Sequence, residues 1–360
     1  MAWPGTNLLA LAALSLGAAL LTGATAADLE KDFRHPPDSA RPLVYWFWLN
    51  GNISSNGITA DLEAMKRVGL GGALIMEVDQ GAPVGPVDFM GRSWRDMFRH
   101  VHAEGNRLGL EINMNNDAGW NGSGGPWIKP EQSMQELTWS ETNLVGQRHF
   151  EAVLSKHRTS AGFYRDIAVQ AFPGVGDYRI AGIESKAAFQ RRGSHQPSQG
   201  ELRPKMVIGP VTLTNLSARM DTNGRLVWDV PTGDWTVLRL GCTSTGAENA
   251  PAPKTGRGLE CDKLSPAGIE ANFAGMMAKL AVDTGIASRH ANAGLVATHI
   301  DSWENGSQNW TARMREEFQR RRGYDLLRFL PVFTGRVVES LEVSERFLWD
   351  VRRTVSELVI

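Results

Sequence analysis

The chain has 360 residues, of which 42% are hydrophobic, enough for one large domain or two smaller ones around a sizeable core. A formal net charge of −1 leaves no electrostatic basis for binding nucleic acid or an anionic membrane surface. Only two cysteines occur, Cys242 and Cys261, and neither lies in a metal or nucleophile motif; they either pair in an oxidising compartment or remain buried thiols.

At the N-terminus an apolar run, Leu8 to Leu21, precedes Ala24-Thr25-Ala26, the small-x-small pattern of a signal peptide cleaved near Ala26. Residues 1–26 are therefore set aside from the fold, and a periplasmic or secreted location is expected. The run is too short for a stable membrane span, and no other segment approaches one. Leu43-Val44-Tyr45-Trp46-Phe47-Trp48-Leu49 reads as a buried strand ending in Asn50-Gly51. Ile58, Leu62, Met65 and Val68 fall at helical spacing behind a possible N-cap, Thr59, and Gly69 supplies the stop. A second strand, Gly72 to Asp79, leads through a Gly/Pro loop to a helix from Ser93 to about Leu108, and a third strand runs from Leu110 to Asp117. Strand, helix, strand, helix, strand at this spacing predicts parallel βαβ units with right-handed crossovers. Asn50, Glu77, Asp79, Asn115, Asn116 and Asp117 gather at the strand ends, which predicts one shared pocket.

From Met134 to Thr245 the pattern changes to short alternating runs, among them Asp166 to Phe172, Val207 to Leu213 and Trp235 to Leu240, with turns at Asn223-Gly224 and Thr232-Gly233. An all-β insertion, sandwich-like, is expected, with a mobile polar loop from Gln190 to Pro204. Helical periodicity resumes at Ser265-Pro266 and continues through Ile269, Phe273, Met276, Met277 and Leu280. A fourth strand ends in Thr298-His299-Ile300-Asp301-Ser302-Trp303-Glu304-Asn305-Gly306-Ser307-Gln308-Asn309-Trp310, and helices follow at Thr311 to Arg322 and about Ser344 to Leu358. The expected architecture is α/β: a (β/α)₈ TIM-type barrel in residues 27–133 and 257–360, interrupted by the β-rich insertion 134–256. About four barrel strands are counted where closure requires eight, so the chain is expected to be an N-terminal fragment, inactive and poorly soluble by itself.

The fourth strand end combines two carboxylates, amides and indoles, as at the mouth of a carbohydrate-cleaving barrel. Glu304 is the candidate general acid, with Trp303 or Trp310 beside it to desolvate the carboxyl; Asp301 would orient it or help hold an ion, or else serve as a helix cap or ion-pair partner. Twelve tryptophans are many for this length, and indole planes stack on sugar faces, although most tryptophans serve as core. Trp46, Trp48, Asn50, Asn115, Asn116, Trp120, Trp127, Trp303 and Asn309 are the candidate substrate-binding residues. Glu77, Asp79, Asp117, Glu260 and Asp262 offer oxygen ligands for a hard cation, without an EF-hand loop to gather them. The glycine-rich run from Asn115 to Trp127 lacks the phosphate-loop and dinucleotide spacings and fits a sugar-binding loop better.

Several stretches resemble the N-terminal portion of glycoside hydrolase family 106, the α-L-rhamnosidases. They are Val44 to Ile53, Gly109 to Asn115, Gly124 to Ile128, Phe163 to Ala168, Gly258 to Ser265, Asp301-Ser302-Trp303-Glu304 and Arg322 to Leu327, and they recur in order along most of the mature chain. The resemblance implies a (β/α)₈ catalytic domain interrupted by β-structure, inverting hydrolysis of terminal α-L-rhamnosyl residues, and a bound Ca²⁺ that contacts the sugar hydroxyls. It implies a rhamnose-containing oligosaccharide or glycoside as substrate, Glu304 as acid, and a base from a later strand that this chain does not reach. Two other readings stand beside it: a retaining barrel glycosidase, and a non-catalytic secreted sugar-binding protein with a lectin-like insertion.

Overall fold

The computed structural model describes residues 26–157, 159–189, 200–285 and 295–359. The expected signal peptide lies outside them apart from Ala26, where helix α1 (Ala26–Arg34) begins, and the expected loop at Gln190 to Pro204 lies outside them as far as residue 199.

Strand β1 (Leu43–Leu49) is succeeded by α2 (Ser55–Arg67), β2 (Gly72–Val78), α3 (Arg92–Leu108) and β3 (Glu111–Asn115). The cap of α2 is Ser54, whose hydroxyl accepts from the Gly57 N–H at 3.2 Å. Thr59 lies inside the helix, its hydroxyl 2.9 Å from the His100 ring. Gly109 ends α3 in the left-handed conformation, φ 63°. β1 pairs with β2 in parallel from Leu43–Gly72 to Leu49–Val78, and β2 with β3 from Gly72–Glu111 to Ile75–Met114. Because strand side chains alternate, Trp46 and Trp48 enter the layer between sheet and helices while Tyr45 and Phe47 stay 57% and 45% exposed on the other face. Trp48 stands edge-on to Trp94 at 5.4 Å, and Trp94 stacks on Phe98 at 5.5 Å. With Leu62, Ile75 and Ile112 these rings form one apolar cluster.

The chain then builds β4 (Gln135–Val145), β5 (Arg148–Val153), β6 (Tyr164–Pro173), the short α4 (Ile183–Lys186), β7 (Val207–Ile208), β8 (Thr214–Asn215), β9 (Arg225–Val230) and β10 (Asp234–Ser244). β4, β10, β6 and β8 form an antiparallel sheet in that order, and β5 and β9 pair separately. Leu144, Val169 and Val237 of the sheet pack with Leu226 and Trp228 of β9, giving the sandwich-like layer. The run from Val207 to Leu213 yields only β7, because Gly209-Pro210 turns the chain and Thr212 N–H bonds back to Gly209 O at 3.1 Å. Arg239, 1% exposed, makes a two-pronged pair with Asp166, both contacts 2.8 Å, and donates to Leu154 O at 2.7 Å, so its buried charge is fully engaged.

The helix expected from Pro266 through Leu280 is two helices, α5 (Pro266–Gly275) and α6 (Met277–Thr284), broken at Met276 with φ −128° and ψ −75°. Gly275 lies against the Trp127 indole, where a Cβ would stand 2.1 Å from Cγ, so the break coincides with close packing that no larger residue permits. β11 (Leu295–His299) adds in parallel to β3, completing the order β1-β2-β3-β11. This sheet is open, and a closed barrel is not seen among the described residues; the overall architecture is a mixed α/β fold of several sheets. A cavity of about 380 Å³ lies on the uncovered face, lined by Tyr45, Leu74, Asn113 and Thr298. The last elements, α7 (Met314–Arg322), β12 (Val337–Val338) and α8 (Leu341–Val359), turn away from it. β12 pairs with β7, and Phe318, Phe333 and Phe347 pack with Phe172, Leu238 and Leu240 of the antiparallel sheet. Helical periodicity announces an apolar face but not which sheet that face will cover, so the sequence alone assigned these helices to the barrel. No helix among the described residues is long and apolar enough to cross a membrane.

Candidate functional site

All four strands of the parallel sheet point the same way, so the segments after Leu49, Val78, Asn115 and His299 emerge along one edge. The loop after β3 curls over this edge. Asn115 Nδ2 faces three acceptors, Asp117 Oδ1 at 2.7 Å, Gly119 O at 3.0 Å and Asn121 O at 3.3 Å, which fixes the orientation of its amide. Its Oδ1 then points away and is buried with no hydrogen-bond partner, as is Asp117 Oδ2. Asn116 ties the loop to β11: its N–H donates to His299 O at 2.8 Å, and its Nδ2 to Gly122 O at 3.0 Å.

Glu260 reaches the same place from the other side of the insertion. Fully buried, it accepts from Asn121 Nδ2, from Ser123 Oγ at 2.8 Å and from the Lys263 ammonium. The segment carrying it is held by the chain that enters the insertion: Met134 N–H donates to Glu260 O at 3.0 Å, Asp262 N–H to Gln132 O at 2.8 Å, and Ser133 bridges Cys261. Asp117 is itself fully buried, and its carboxyl is pushed well above the ordinary range, by desolvation first and then by the charge of Glu260, with Asp301 adding to the effect and Lys263 opposing it. Asp117, Glu260, Asp301 and Lys263 are thus one electrostatic group.

Asp301 is half-buried, with Oδ1 accepting from the Ser302 N–H at 2.7 Å and Oδ2 3.9 Å from His299 Nε2. Glu304 is exposed and accepts from Ser302 Oγ at 2.9 Å. Trp303 lies under Lys263, whose ammonium is 5.3 Å from the ring centroid, and is therefore turned toward the buried group. Trp310 is 5% exposed and belongs to the core against the antiparallel sheet, away from any role beside Glu304.

The other expected site residues separate by environment. Trp46 and Trp48, 9% and 1% exposed, are core. Asn50 holds a left-handed turn at φ 49° and donates to Ala82 O at 2.9 Å. Asn309 donates to Ala187 O at 2.8 Å and accepts from the Leu137 N–H at 2.8 Å, which makes it a brace between segments. Trp120 stands edge-on to Phe47 at 5.6 Å, and Trp127 donates to Asn272 Oδ1 at 3.0 Å. Of the five oxygen ligands, Asp117 and Glu260 meet. Asp79 caps a turn through the Gly81 N–H, and Asp262 is occupied by Leu264 N–H, Gln308 and Thr311. Glu77 accepts from Gly51 N–H at 3.3 Å and Trp94 Nε1 at 2.9 Å, and burial lifts its carboxyl to about 7 against those two donors. Among the described residues no three His, Cys, Asp or Glu side chains are gathered to hold a metal by themselves.

Sequence reasoning assigned no individual role to Lys263 or Asn272, and took Asn121 and Ser123 only as part of the sugar-binding loop Asn115 to Trp127. Asn272 is the clamp of the loop, accepting from Gly124 N–H at 3.0 Å and donating to Asn116 O at 3.1 Å. The signal available for Lys263 was its position in Glu260-Cys261-Asp262-Lys263, three residues beyond a carboxylate. Cys242 and Cys261 are both free and buried.

The sequence profile of glycoside hydrolase family 106, described as alpha-L-rhamnosidase, matches residues 34–180 and 175–360. A protein of Formosa agariphila, provisionally named a beta-glucuronidase, is 42% identical over 335 residues, covering 92% of this chain and 28% of the relative. The solved rhamnosidase from Novosphingobium sp. PP1Y matches with a TM-score of 0.80 at 26% identity, over 92% of this chain and 45% of that one. The chain therefore spans about a quarter of the length of the curated relative and less than half of the solved chain.

Proposed function

Because the chain belongs to glycoside hydrolase family 106, the α-L-rhamnosidases, we propose that it contributes the acid half of an enzyme that releases terminal α-L-rhamnosyl residues with inversion. The observation that carries this reading is the convergence of Asn115, Asp117, Glu260, Lys263 and Asp301 on the edge where the parallel strands end, with the exposed Glu304 three residues beyond Asp301. Glu304, free to approach a bound glycoside, would donate its proton to the departing oxygen. Ser302 would hold that carboxyl, and Trp303 would shield the buried charges behind it. None of the described carboxylates is assigned the water-activating role, for which an inverting enzyme places a second carboxyl about 6.5–9.5 Å from the first.

Ca²⁺ fits the donor chemistry here. Asn115 Oδ1 and Asp117 Oδ2 are hard oxygen acceptors, buried and unpartnered, and would hold the ion with help from Asp301. When bound it would supply a positive charge to sugar hydroxyls and draw Asp117 into its ionised form. The apolar run and Ala24-Thr25-Ala26 support export to the periplasm or beyond.

The test is hydrolysis of an alkyl α-L-rhamnoside, whose alcohol departs only when protonated, by the polypeptide carrying this sequence, with the first-formed anomer read by NMR. β-L-Rhamnose should appear first, and Glu304→Gln should slow turnover by about 10²–10⁴. Retention of the α-configuration, or an unimpaired Glu304→Gln variant, would refute the assignment. A second reading rests on the provisional name of the Formosa agariphila relative; cleavage of 4-nitrophenyl β-D-glucuronide in place of the rhamnoside would favour it.

A further inference from the structure

Glu304 sits in a loop segment, Asp301 to Asn305, that has no helix or strand to hold it. Ser302 bonds within the segment, its hydroxyl to Glu304 at 2.9 Å and its N–H to Asp301 at 2.7 Å, which shapes the loop without fastening it to the body of the protein. Asn305 fastens one end, through Nδ2 to Glu248 O. Trp303 makes contact at the middle. Its indole N–H is buried and, among the described residues, has no acceptor, so no hydrogen bond sets the direction of the ring. What faces the ring is the Lys263 ammonium, 5.3 Å from its centroid.

Lys263 is itself held from several sides. Its side chain is 13% exposed; the ammonium donates to the fully buried Glu260 and reaches Met134 Sδ at 3.4 Å. Its N–H donates to Gln308 Oε1 at 3.2 Å, and Gln308 in turn donates to Asp262. Glu260 is gripped by Asn121 and Ser123. The cation that meets Trp303 therefore stands on a rigid base, and Trp303 is the residue just before Glu304. An ammonium this far out of water attracts an indole more strongly than one on an open surface. An acid on a loop needs such a tie, because its proton is useful only within hydrogen-bond reach of the departing oxygen.

We propose that Lys263 is a positioning residue: through Trp303 it fixes the loop that presents Glu304, so that the carboxyl meets the departing oxygen. The role rests on the assignment of Glu304 as acid, and Lys263 acts through Trp303 rather than on the sugar.

Two rhamnosides separate placement of the acid from general damage. Methyl α-L-rhamnoside needs a proton on its leaving oxygen, whereas 4-nitrophenolate departs without one. In the polypeptide carrying this sequence, Lys263→Met and Trp303→Leu should each lower kcat on the methyl glycoside by about 10–10², with KM and turnover of the 4-nitrophenyl glycoside changed less than about threefold. The double variant should be no slower than the slower single one, and Lys263→Arg, which keeps a cation for the indole, should recover most of the rate. Trp303→Leu leaves the pair of Lys263 with Glu260 intact, so a folding failure of Lys263→Met does not decide the matter. Chymotrypsin reads the hold without turnover. Cleavage after Trp303, followed by mass spectrometry, should be severalfold faster in Lys263→Met than in the parent or Lys263→Arg, with cleavage after the core residue Trp94 unchanged. Unchanged cleavage after Trp303 would overturn the proposal. So would additive losses in the double variant, or equal losses on both glycosides while Glu304→Gln is impaired on the methyl glycoside alone. A Glu304→Gln variant that is unimpaired, or equally impaired on both, would sink the acid assignment and the role of Lys263 with it.

Discussion

Glu77 is a buried carboxyl whose environment favours its neutral form, and replacing it by Gln should reverse its effect on stability across the neutral pH range. In the folded protein the group titrates at about 7 rather than 4.5, because burial outweighs the hydrogen bonds from Trp94 and Gly51. Between those two values the native state keeps a proton that the unfolded chain has released. The slope of unfolding free energy with pH follows the protons bound unfolded minus those bound native, so it is negative here and stability falls as pH rises. The loss begins near pH 4.5 and is complete above about pH 7, amounting to about 3 kcal/mol. Gln removes the titration. It also brings an N–H₂ toward the Gly51 or Trp94 donor that a carboxylate oxygen had accepted from, at a pH-independent cost of about 1–2 kcal/mol. Urea unfolding of both proteins at about pH 5 and about pH 8 reads the difference. Glu77→Gln should be the less stable protein at the lower pH and equal to or more stable than the parent at the higher one, with the gap moving by about 2.5 kcal/mol. Parallel stability curves would show that Glu77 titrates normally and would sink the argument.

Gly275→Ala should destabilise the protein by about 1–3 kcal/mol or more, since the added methyl lands 2.1 Å from Trp127 Cγ in a packed layer; a thermal midpoint equal to the parent's would contradict that geometry. The thiols of Cys242 and Cys261 are buried and pushed up by desolvation to about 12 and about 11, so Ellman's reagent should label neither in the native protein and both after denaturation. Fast native labelling, or two thiols missing after denaturation without reductant, would show a different arrangement.

The sequence made the first three parallel strands and their helices readable because periodicity and stop signals act locally: α2 shows its apolar face at Ile58 and Leu62 and its stop at Gly69. The orientation of β1 was not readable. Every residue from Leu43 to Leu49 is apolar, so alternation carries no sign, and Trp46 and Trp48 looked as available to a ligand as Tyr45 and Phe47. The site divides in the same way. The carboxylates Asp117, Glu260, Asp301 and Glu304 stand out by residue type. The groups that position them act across long separations, as Asn121 does on Glu260 from 139 residues away, and no local pattern encodes such a pairing. The break between α5 and α6 belongs to this class too, since the Trp127 indole packed against it comes from a distant loop.

The hydrogen bonds that join the chain entering the antiparallel unit to the chain leaving it bear on how this architecture tolerates change. Gln132 to Met134 and Glu260 to Asp262 form a clasp at the neck of a long excursion, and one of the three residues on the returning side is Glu260. The excursion is therefore not a detachable decoration. Shortening it or exchanging it for another β-unit leaves the acidic group intact only if the two necks close in the same register, so the clasp sets which insertions this sheet can carry.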